Sequence, residues 1–344
     1  MCFRIGEGKS EVRTGWSGDA EIVRAVDRGF RSTPAAVAVV TPEREMTATV
    51  GSDHRPTFEI GSISKTLTGM LYRDAVERGL VSQATVLREL LPLEKHGEVG
   101  LVTLGALATH RSGLPGLPPG MHPLRRTLRF WTRGENPYGD SLTELLDQTR
   151  NMRLSTPRPR YSNLGFQLLG HAVAAAAGSS YEQLLQDVLG PGFSTPARVE
   201  DLGPGDRSGS DRFGRPMQAW VGEAVAPAGG VRATIGTMAG FLRSVLDGTV
   251  RGISALDAVA DFTPRVGIGA GWLTLEHRGR KITWHNGSTG GFSSWIGLDR
   301  DAATGVIVLT AVHRSVDRQG FRLLGDFANP GTAPSFAADD ERTK

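Results

Sequence analysis

The stretch Phe58-Glu59-Ile60-Gly61-Ser62-Ile63-Ser64-Lys65-Thr66 places a serine three residues before a lysine, where an extended segment turns into a helix. Residues i and i+3 of a helix lie on the same face, so the amine of Lys65 can sit beside the hydroxyl of Ser62. An amine in that position lowers the cost of deprotonating the hydroxyl and can make it a nucleophile. The same pattern also fits an N-capping serine followed by a solvated lysine, so its interpretation depends on the rest of the chain.

The residues after Lys65 carry the pattern of a central helix. Apolar side chains recur near helical spacing from Ile63 to Ala75, and Gly79 then supplies a residue that ends helices. The N-terminus of such a helix is electropositive. Lysine is rare in this chain, where most of the basic residues are arginine.

The composition is that of an ordinary globular protein. The chain has 344 residues, of which 39% are hydrophobic and 22% charged, which is enough for a large core and two subdomains. The formal net charge is only +3 and the arginines are scattered, so we expect no nucleic-acid partner. The arginine cluster between Arg125 and Arg133 is expected to form a solvated face.

Cysteine use and hydropathy indicate the compartment. The one cysteine is Cys2, so no internal disulfide can form, which fits a reducing environment. The first residues, from Met1 to Glu7, lack the apolar core of a signal peptide. No stretch approaches the roughly 18 continuous apolar residues of a membrane span. We therefore expect a cytoplasmic protein without a membrane partner, and these features carry no information on oligomeric state.

Strand patterns lie near both ends of the chain, and helical patterns lie between them. The predicted strands are 35–40, 46–50, 268–276, 281–285, 294–298 and 306–312. The predicted helices, besides the one that follows Ser62, are 19–30, 103–110, 141–150, 164–177, 181–189, 235–246 and 316–327. This order predicts an α/β (α+β) fold, with an antiparallel sheet built from both termini, flanking helices and a mostly helical inserted subdomain.

The same patterns suggest where the subdomains begin and end. We expect residues 1–80 and 225–335 to form a discontinuous α/β catalytic subdomain and residues 81–224 to form the helical subdomain. The polar tail 336–344 is expected to be disordered. The segment 113–139 is rich in proline and glycine, which predicts a long loop over a surface or site.

Two further short motifs could supply groups to Ser62. In Tyr161-Ser162-Asn163, a tyrosine at a loop-to-helix junction can shuttle protons to and from a serine, and Asn163 can donate its amide to a carbonyl. In His285-Asn286-Gly287, small residues at a strand end let a substrate backbone lie close. A backbone N–H there can complete an oxyanion pair with the N–H of the nucleophile.

Together the S-x-x-K at Ser62, the Y-x-N at Tyr161 and the H-x-G at His285 resemble, in order and spacing, the serine β-lactamase and penicillin-binding DD-peptidase superfamily. The similarity is greatest to its class C-like branch of β-lactamase-related serine hydrolases. The phrases Thr109-His110-Arg111-Ser112-Gly113-Leu114-Pro115 and Pro227-Ala228-Gly229-Gly230-Val231 also resemble phrases of that family. The resemblance covers roughly residues 20 to 325.

The resemblance implies a role for each motif residue. Ser62 would be the acylated nucleophile, Lys65 its proton acceptor or electrostatic partner, and Tyr161 the general base for attack and the acid or base of the later step. The resemblance further implies that Asn163 holds the acyl side of the substrate, and that the N–H groups of Ser62 and Ser288 form the oxyanion hole with Gly287 beside them.

One motif position departs from the family pattern. His285 stands where many members have lysine, and a histidine of ordinary pKa is mostly neutral at pH 7. A site without that cation is less suited to the carboxylate of a β-lactam. Some DD-peptidases and D-aminopeptidases of the family also carry H-x-G, so peptide substrates remain open.

The resemblance implies a serine hydrolase that acts on a small-molecule ester or amide through an acyl-serine (esterase, D-amino-acid peptidase or amidase, or weak β-lactamase). An acyltransferase on the same scaffold differs only in whether water or an acceptor takes the acyl group. A non-catalytic binding protein would be favoured by loss of Ser62, Lys65 or Tyr161. Candidate aromatic walls of the site, which could equally be packing residues, are Trp131, Tyr138 and Phe292.

We expect neither a metal nor a cofactor. The histidines show no spacing typical of a zinc site. The glycines of Gly267-Ile268-Gly269-Ala270-Gly271 are not followed by a predicted helix, so they do not form a dinucleotide fingerprint.

Overall fold

The computed structural model describes residues 15–26, 34–51, 56–119, 125–277 and 279–328. The predicted tail at 336–344 and the end of the first predicted helix at 27–30 lie outside the described residues. No helix in the described part of the chain is long and apolar enough to cross a membrane.

The strands of the described residues have the following bounds. They are β1 (Trp16–Gly18), β2 (Ala35–Val40), β3 (Glu45–Val50), β4 (Thr57–Glu59), β5 (Phe193–Ser194), β6 (Gly209–Ser210), β7 (Pro216–Met217), β8 (Arg232–Thr234), β9 (Ala260–Thr263), β10 (Val266–Ile268), β11 (Leu273–His277), β12 (Arg280–Ser288), β13 (Ser293–Asp299) and β14 (Thr304–Thr310).

Nine of these strands form one antiparallel sheet, in the order β1-β3-β2-β14-β13-β12-β11-β10-β9. The two ends of the chain meet at its centre, where Ala35 of β2 lies opposite Thr310 of β14 and Val40 lies opposite Gly305. This topology confirms the predicted antiparallel sheet built from both termini. A three-stranded sheet has the order β4-β8-β5, and β6 and β7 form a separate two-stranded sheet.

Helices cover both faces of the sheet and fill the middle of the chain. The helices of the described residues are α1 (Ala20–Val26), α2 (Ser64–Glu77), α3 (Leu104–Ala108), α4 (Arg125–Arg133), α5 (Leu142–Thr149), α6 (Asn163–Ala176), α7 (Tyr181–Leu189), α8 (Ile235–Leu246) and α9 (Asp317–Ala328). Alternate residues of β2 point to opposite faces of the sheet. Val37 and Val39 pack with α1 and α9 on one face. Ala36 and Ala38 pack on the other face, in the core that holds α2 and α8. The division into two subdomains at residues 80 and 225 stays a prediction.

Helix α2 lies at the centre of the molecule, as its pattern predicted. Its first three turns are almost entirely buried, since every residue from Ser64 to Tyr72 is enclosed. The helix also packs backbone to backbone, because a Cβ on Gly69 would overlap the carbonyl of Ala270. The N-terminal turn of α2 is therefore fixed from several sides.

Two of the predicted elements were wrong. The predicted loop 113–139 contains α4, because the stretch 124–133 holds neither glycine nor proline and can form a helix between such residues. The predicted strand 268–276 is two strands, because the chain turns at 269–272 and Gly271 adopts φ 75° there. A Cβ on Gly271 would overlap the Lys65 carbonyl, so this turn packs directly on α2.

Candidate active site

The nucleophile motif occupies a tight turn between β4 and α2. Residues Gly61–Ile63 form a 3₁₀ turn, so Ser62 stands just before the first residue of α2. Gly61 adopts φ 53°, and a Cβ there would come within 2.7 Å of the Ser288 nitrogen. The turn is also held by Ser64, whose hydroxyl donates to the Gly61 carbonyl at 2.7 Å.

Lys65 lies beside Ser62 in a site without a counter-ion. Its Nζ donates to Ser62 Oγ at 3.0 Å and to the carbonyl of Ala228 at 2.5 Å. The side chain is 0% exposed, and no salt bridge joins it to a carboxylate among the described residues. Burial lowers the pKa of Lys65 well below its usual value, because desolvation disfavours the ammonium form. The neutral amine, which can accept a proton from Ser62, is thereby favoured.

Tyr161 completes the cluster around Ser62. The centre of its ring lies 4.8 Å from Lys65 Nζ, and its side chain lines the same cleft as Ser62. Although 39% of the residue is exposed to the cleft, protein atoms crowd its hydroxyl. The resulting desolvation raises the pKa of Tyr161, and its interaction with the Ser62 side chain opposes that rise. The phenol form is therefore favoured at neutral pH.

His110 holds the tyrosine segment and was not singled out as a site residue from the sequence. Its carbonyl accepts from the Arg160 N–H at 2.9 Å, and its Nδ1 accepts from the Ser162 N–H at 3.2 Å. Its ring centre lies 4.7 Å from that of Tyr161. Desolvation lowers the pKa of His110 well below its usual value, which keeps Nδ1 free to accept. The signal that could have identified it is the family-like phrase from Thr109 to Pro115.

Asn163 lies at the first turn of α6, which Ser162 caps through a 2.9 Å bond from the Gly165 N–H. The Asn163 Nδ2 donates to the hydroxyl of Tyr138 at 3.0 Å. Its Oδ1 is buried without a hydrogen-bond partner in the described part of the chain. One amide N–H of Asn163 is thus used by Tyr138, and its role in holding an acyl group stays a prediction.

The structure describes the side chains of two of the three predicted aromatic walls. Tyr138 is buried against Trp220 at a ring distance of 4.7 Å and supports Asn163. Phe292 is 2% exposed and packs edge-on to Phe58, which is the packing role that the sequence left open, and its contact with a substrate stays a prediction. The side chain of Trp131 lies outside the described residues.

His285 lies on β12 beside the cluster but carries no charge at neutral pH. It is 2% exposed, and its ring lies 6.3 Å from that of Tyr161. Desolvation, with a further contribution from Lys65, lowers the pKa of His285 to about 4. Its Nδ1 lies 2.5 Å from the Asn286 carbonyl, so Nδ1 carries the proton and donates. The position that holds lysine in many relatives therefore supplies no cation here.

Strand β12 reaches past His285 and touches the nucleophile turn. It continues as far as Ser288, because 286–288 pair with 293–295 of β13. A Cβ on Gly287 would lie 2.9 Å from the Ser62 nitrogen, so only glycine allows this approach. The backbones of Ser62 and Ser288, predicted to form the oxyanion hole, thus belong to segments in direct contact.

The cluster opens into a cleft of about 370 Å³. The residues that line the cleft are Ser62, Tyr161, Asn286, Gly287, Ser288, Ser293, Ser294, His313, Ser315, Val316 and Asp317. No lysine or arginine is among these lining residues. Within the described ranges, no group of histidine, cysteine and acidic residues could hold a metal ion.

Comparisons with known proteins identify the family of the chain. A family model described as Beta-lactamase matches residues 23–324. The chain is 26% identical over 194 residues to a protein named Beta-lactamase from Escherichia coli (strain K12), which covers 55% of this chain and 48% of that one. The chain thus spans about half the length of that relative.

Two further proteins are similar over more of their length. The D-alanyl-D-alanine-carboxypeptidase/endopeptidase AmpH of E. coli (strain K12) is 25% identical over 301 residues, which cover 75% of this chain and 73% of that one. The crystal structure of Beta-Lactamase/D-Alanine Carboxypeptidase from Pseudomonas syringae has a TM-score of 0.73 at 16% identity, with 91% of this chain and 97% of that chain covered. The latter likeness shows a shared fold. Because the family model spans most of its length, the chain belongs to the Beta-lactamase family, as its three motifs predicted.

Proposed function

We propose that this protein is a serine hydrolase that cleaves an ester or amide through a covalent acyl-serine at Ser62. The observation that carries the proposal is the 3.0 Å contact between Ser62 Oγ and the fully buried amine of Lys65. A buried amine without a counter-ion is a base at neutral pH rather than a fixed cation. The β-lactamases and D-alanine carboxypeptidases that the chain resembles support the same class of reaction.

In the acylation step, Lys65 accepts the Ser62 proton as Oγ attacks the substrate carbonyl. The N–H groups of Ser62 and Ser288 stabilise the negative charge that develops on the carbonyl oxygen. Tyr161, favoured as a phenol, then donates its proton to the departing alcohol or amine, and the Lys65 ammonium returns a proton to Tyr161. Lys65 thus takes the base role in attack that the resemblance implied for Tyr161, and Tyr161 acts as the acid.

Deacylation runs the same relay on a water molecule. Tyr161 and Lys65 remove a proton from the water as it attacks the acyl carbonyl, and the released Ser62 oxygen takes the proton back. An amine or alcohol in place of the water would give an acyltransferase. The neutral His285 makes a strong β-lactamase activity the weakest of the hydrolase alternatives.

The test is covalent labelling of Ser62 with an uncharged fluorophosphonate, followed by intact-mass analysis and by turnover of a chromogenic short-chain ester. We expect one label per chain, located at Ser62, and steady ester hydrolysis. Ser62→Ala should lose both, whereas Ser244→Ala, on α8 outside the cleft, should keep both. Equal labelling of Ser62→Ala would refute the proposal, and an ester burst that resumes only with added amine would indicate the acyltransferase.

A further inference from the structure

Asp317 lines the same cleft as Ser62, on the wall formed by β12 and α9. Its Oδ2 accepts a hydrogen bond from Asn286 Nδ2 at 3.0 Å, and its backbone N–H donates to the Ser315 hydroxyl at 3.3 Å. Asn286 is the neighbour of Gly287, which touches the nucleophile turn. These hydrogen bonds therefore hold Asp317 in the same cleft in which a substrate of Ser62 must lie.

No cation neutralises this carboxylate. Among the described residues Asp317 forms no salt bridge, and no lysine or arginine lines the cleft. The neighbouring Arg314 and Arg318 are exposed and make no ion pair with it. Lys65 is enclosed beneath Ser62, and His285 is neutral because of its burial.

The other ionisable side chains that line the cleft are Tyr161 and His313. The Nδ1 of His313 lies 2.6 Å from the Thr289 carbonyl and donates to it. The lining is otherwise made of hydroxyls, an amide, backbone and Val316. Asp317 is thus the one carboxylate among these lining residues, and no lysine or arginine stands beside it there.

A structural role for Asp317 accounts for only part of this arrangement. An acidic residue in the first turn of a helix interacts favourably with the helix dipole, which fits its place at the start of α9. However, its carboxylate is bonded across to Asn286 on β12, at a wall of the cleft. Burial raises the pKa of Asp317, as it does for a carboxylate that is desolvated without an opposite charge.

We propose that Asp317 determines specificity, so that the cleft selects substrates that carry an ammonium group and rejects those that carry a carboxylate near the reacting carbonyl. This inference rests on the proposed acyl-serine chemistry and names its substrate class. Opposite charges attract and like charges repel most strongly where little water separates them. The absence of a lysine or arginine from the lining and the presence of Asp317 both favour a substrate with an ammonium group over one with a carboxylate.

Matched boronic acids test this charge preference without a known substrate. The boron atom accepts an electron pair from Ser62 Oγ, whose proton passes to Lys65, and the tetrahedral adduct blocks fluorophosphonate labelling. We would use alkylboronic acids of three to five methylenes that end in an ammonium, a carboxylate or a methyl group. The dissociation constant of each follows from its protection of Ser62.

For the wild-type chain we expect the ammonium compound to bind at least about tenfold tighter than the carboxylate compound at one or more chain lengths. Asp317→Asn, which can still accept from Asn286, should reduce that ratio below threefold, and Asp317→Lys should invert it. Asp301→Asn, an equal change of charge on an exposed turn, should leave the ratio unchanged. The labelling rate with the uncharged fluorophosphonate reports whether each variant keeps its folded site.

Two results would overturn the inference: a wild-type ratio near one at every chain length, or a preference that Asp317→Asn leaves intact. In either case the methyl compound would still protect Ser62, and the acyl-serine proposal would stand. If neither boronic acid nor fluorophosphonate modifies Ser62, the proposed function itself fails.

Discussion

Two fully buried basic side chains, Lys65 next to Ser62 and Arg232 beside the strand that leads to Ser62, have opposite surroundings. Arg232 on β8 forms salt bridges of 3.0 Å with Glu59 and 2.9 Å with Asp206, and donates to the Arg207 carbonyl. Lys65 has no carboxylate beside it in the described residues and instead donates to Ser62 and the Ala228 carbonyl. Both side chains are 0% exposed.

The presence of carboxylates beside Arg232 and their absence beside Lys65 explain how one core can hold both a structural cation and an amine that is available as a base. Carboxylates around Arg232 favour its charge, and a guanidinium does not release a proton in any case. Burial without such a partner lowers the pKa of Lys65, so its amine can both accept and release a proton near neutral pH. Arg232 joins β8 to Glu59 of β4, whereas Lys65 contacts the hydroxyl of Ser62.

The largest expected effect comes from making Lys65 resemble Arg232. Lys65→Arg replaces the neutral amine with a permanent cation and so removes the base, and labelling of Ser62 by the fluorophosphonate should therefore slow by about 10³-fold, within the usual range for loss of a general base. Lys65→Met should slow it to a similar degree. Stopped-flow or quenched labelling measures the rate. A Lys65→Arg rate within tenfold of the wild type would show that charge, not proton transfer, is the contribution of Lys65.

A second prediction concerns Arg232, the buried basic residue that is compared with Lys65. Arg232→Met removes the partner of the buried Glu59 and should lower the free energy of unfolding by about 3–5 kcal/mol, as expected when a buried ion pair loses one member. Urea unfolding, followed by tryptophan fluorescence, measures the loss. In contrast, Lys65→Met should unfold at an equal or higher urea concentration, since it removes an uncompensated buried amine. A loss of more than about 2 kcal/mol in Lys65→Met would contradict the comparison.

The smallest expected effect on the labelling rate comes from His110, which supports the segment that holds Tyr161. His110→Phe keeps an aromatic ring but removes the Nδ1 that accepts from the Ser162 N–H. We expect labelling of Ser62 to slow by about fivefold, because Tyr161 loses the support of one hydrogen bond, which contributes about 1 kcal/mol net. The protection constant of an uncharged alkylboronic acid should change less than the labelling rate. Equal changes in both would indicate a general loosening of the fold instead.

The sequence predicted those parts of the fold that follow from local periodicity. The i, i+3 spacing of Ser62 and Lys65 placed an amine beside a hydroxyl before any tertiary contact was known. The strands of the central sheet and the central position of α2 also follow from apolar patterns. The split of 268–276 was missed because the turn at Gly271 is set by its packing on α2, which lies far away in the sequence.

The parts of the site that were missed depend on contacts between distant segments. His110 contacts the residues on either side of Tyr161 from about 50 positions away, and only the family-like phrase marked it. Asp317 is 31 residues from Asn286, and its place in the cleft follows from how α9 packs on the sheet. The same limit applies to the pKa of Lys65, because both the burial of its amine and the carboxylates that pair with Arg232 but not with Lys65 are tertiary properties.

The most direct test of the account is the pH dependence of Ser62 acylation by the uncharged fluorophosphonate. The reactive form has a neutral Lys65, so the rate should rise with pH and level off through an ionisation well below the usual lysine pKa of about 10.4. That ionisation should vanish from the residual rate of Lys65→Arg. A wild-type rate that is still rising near pH 10, or an ionisation that survives in Lys65→Arg, would contradict the claim that Lys65 is the base.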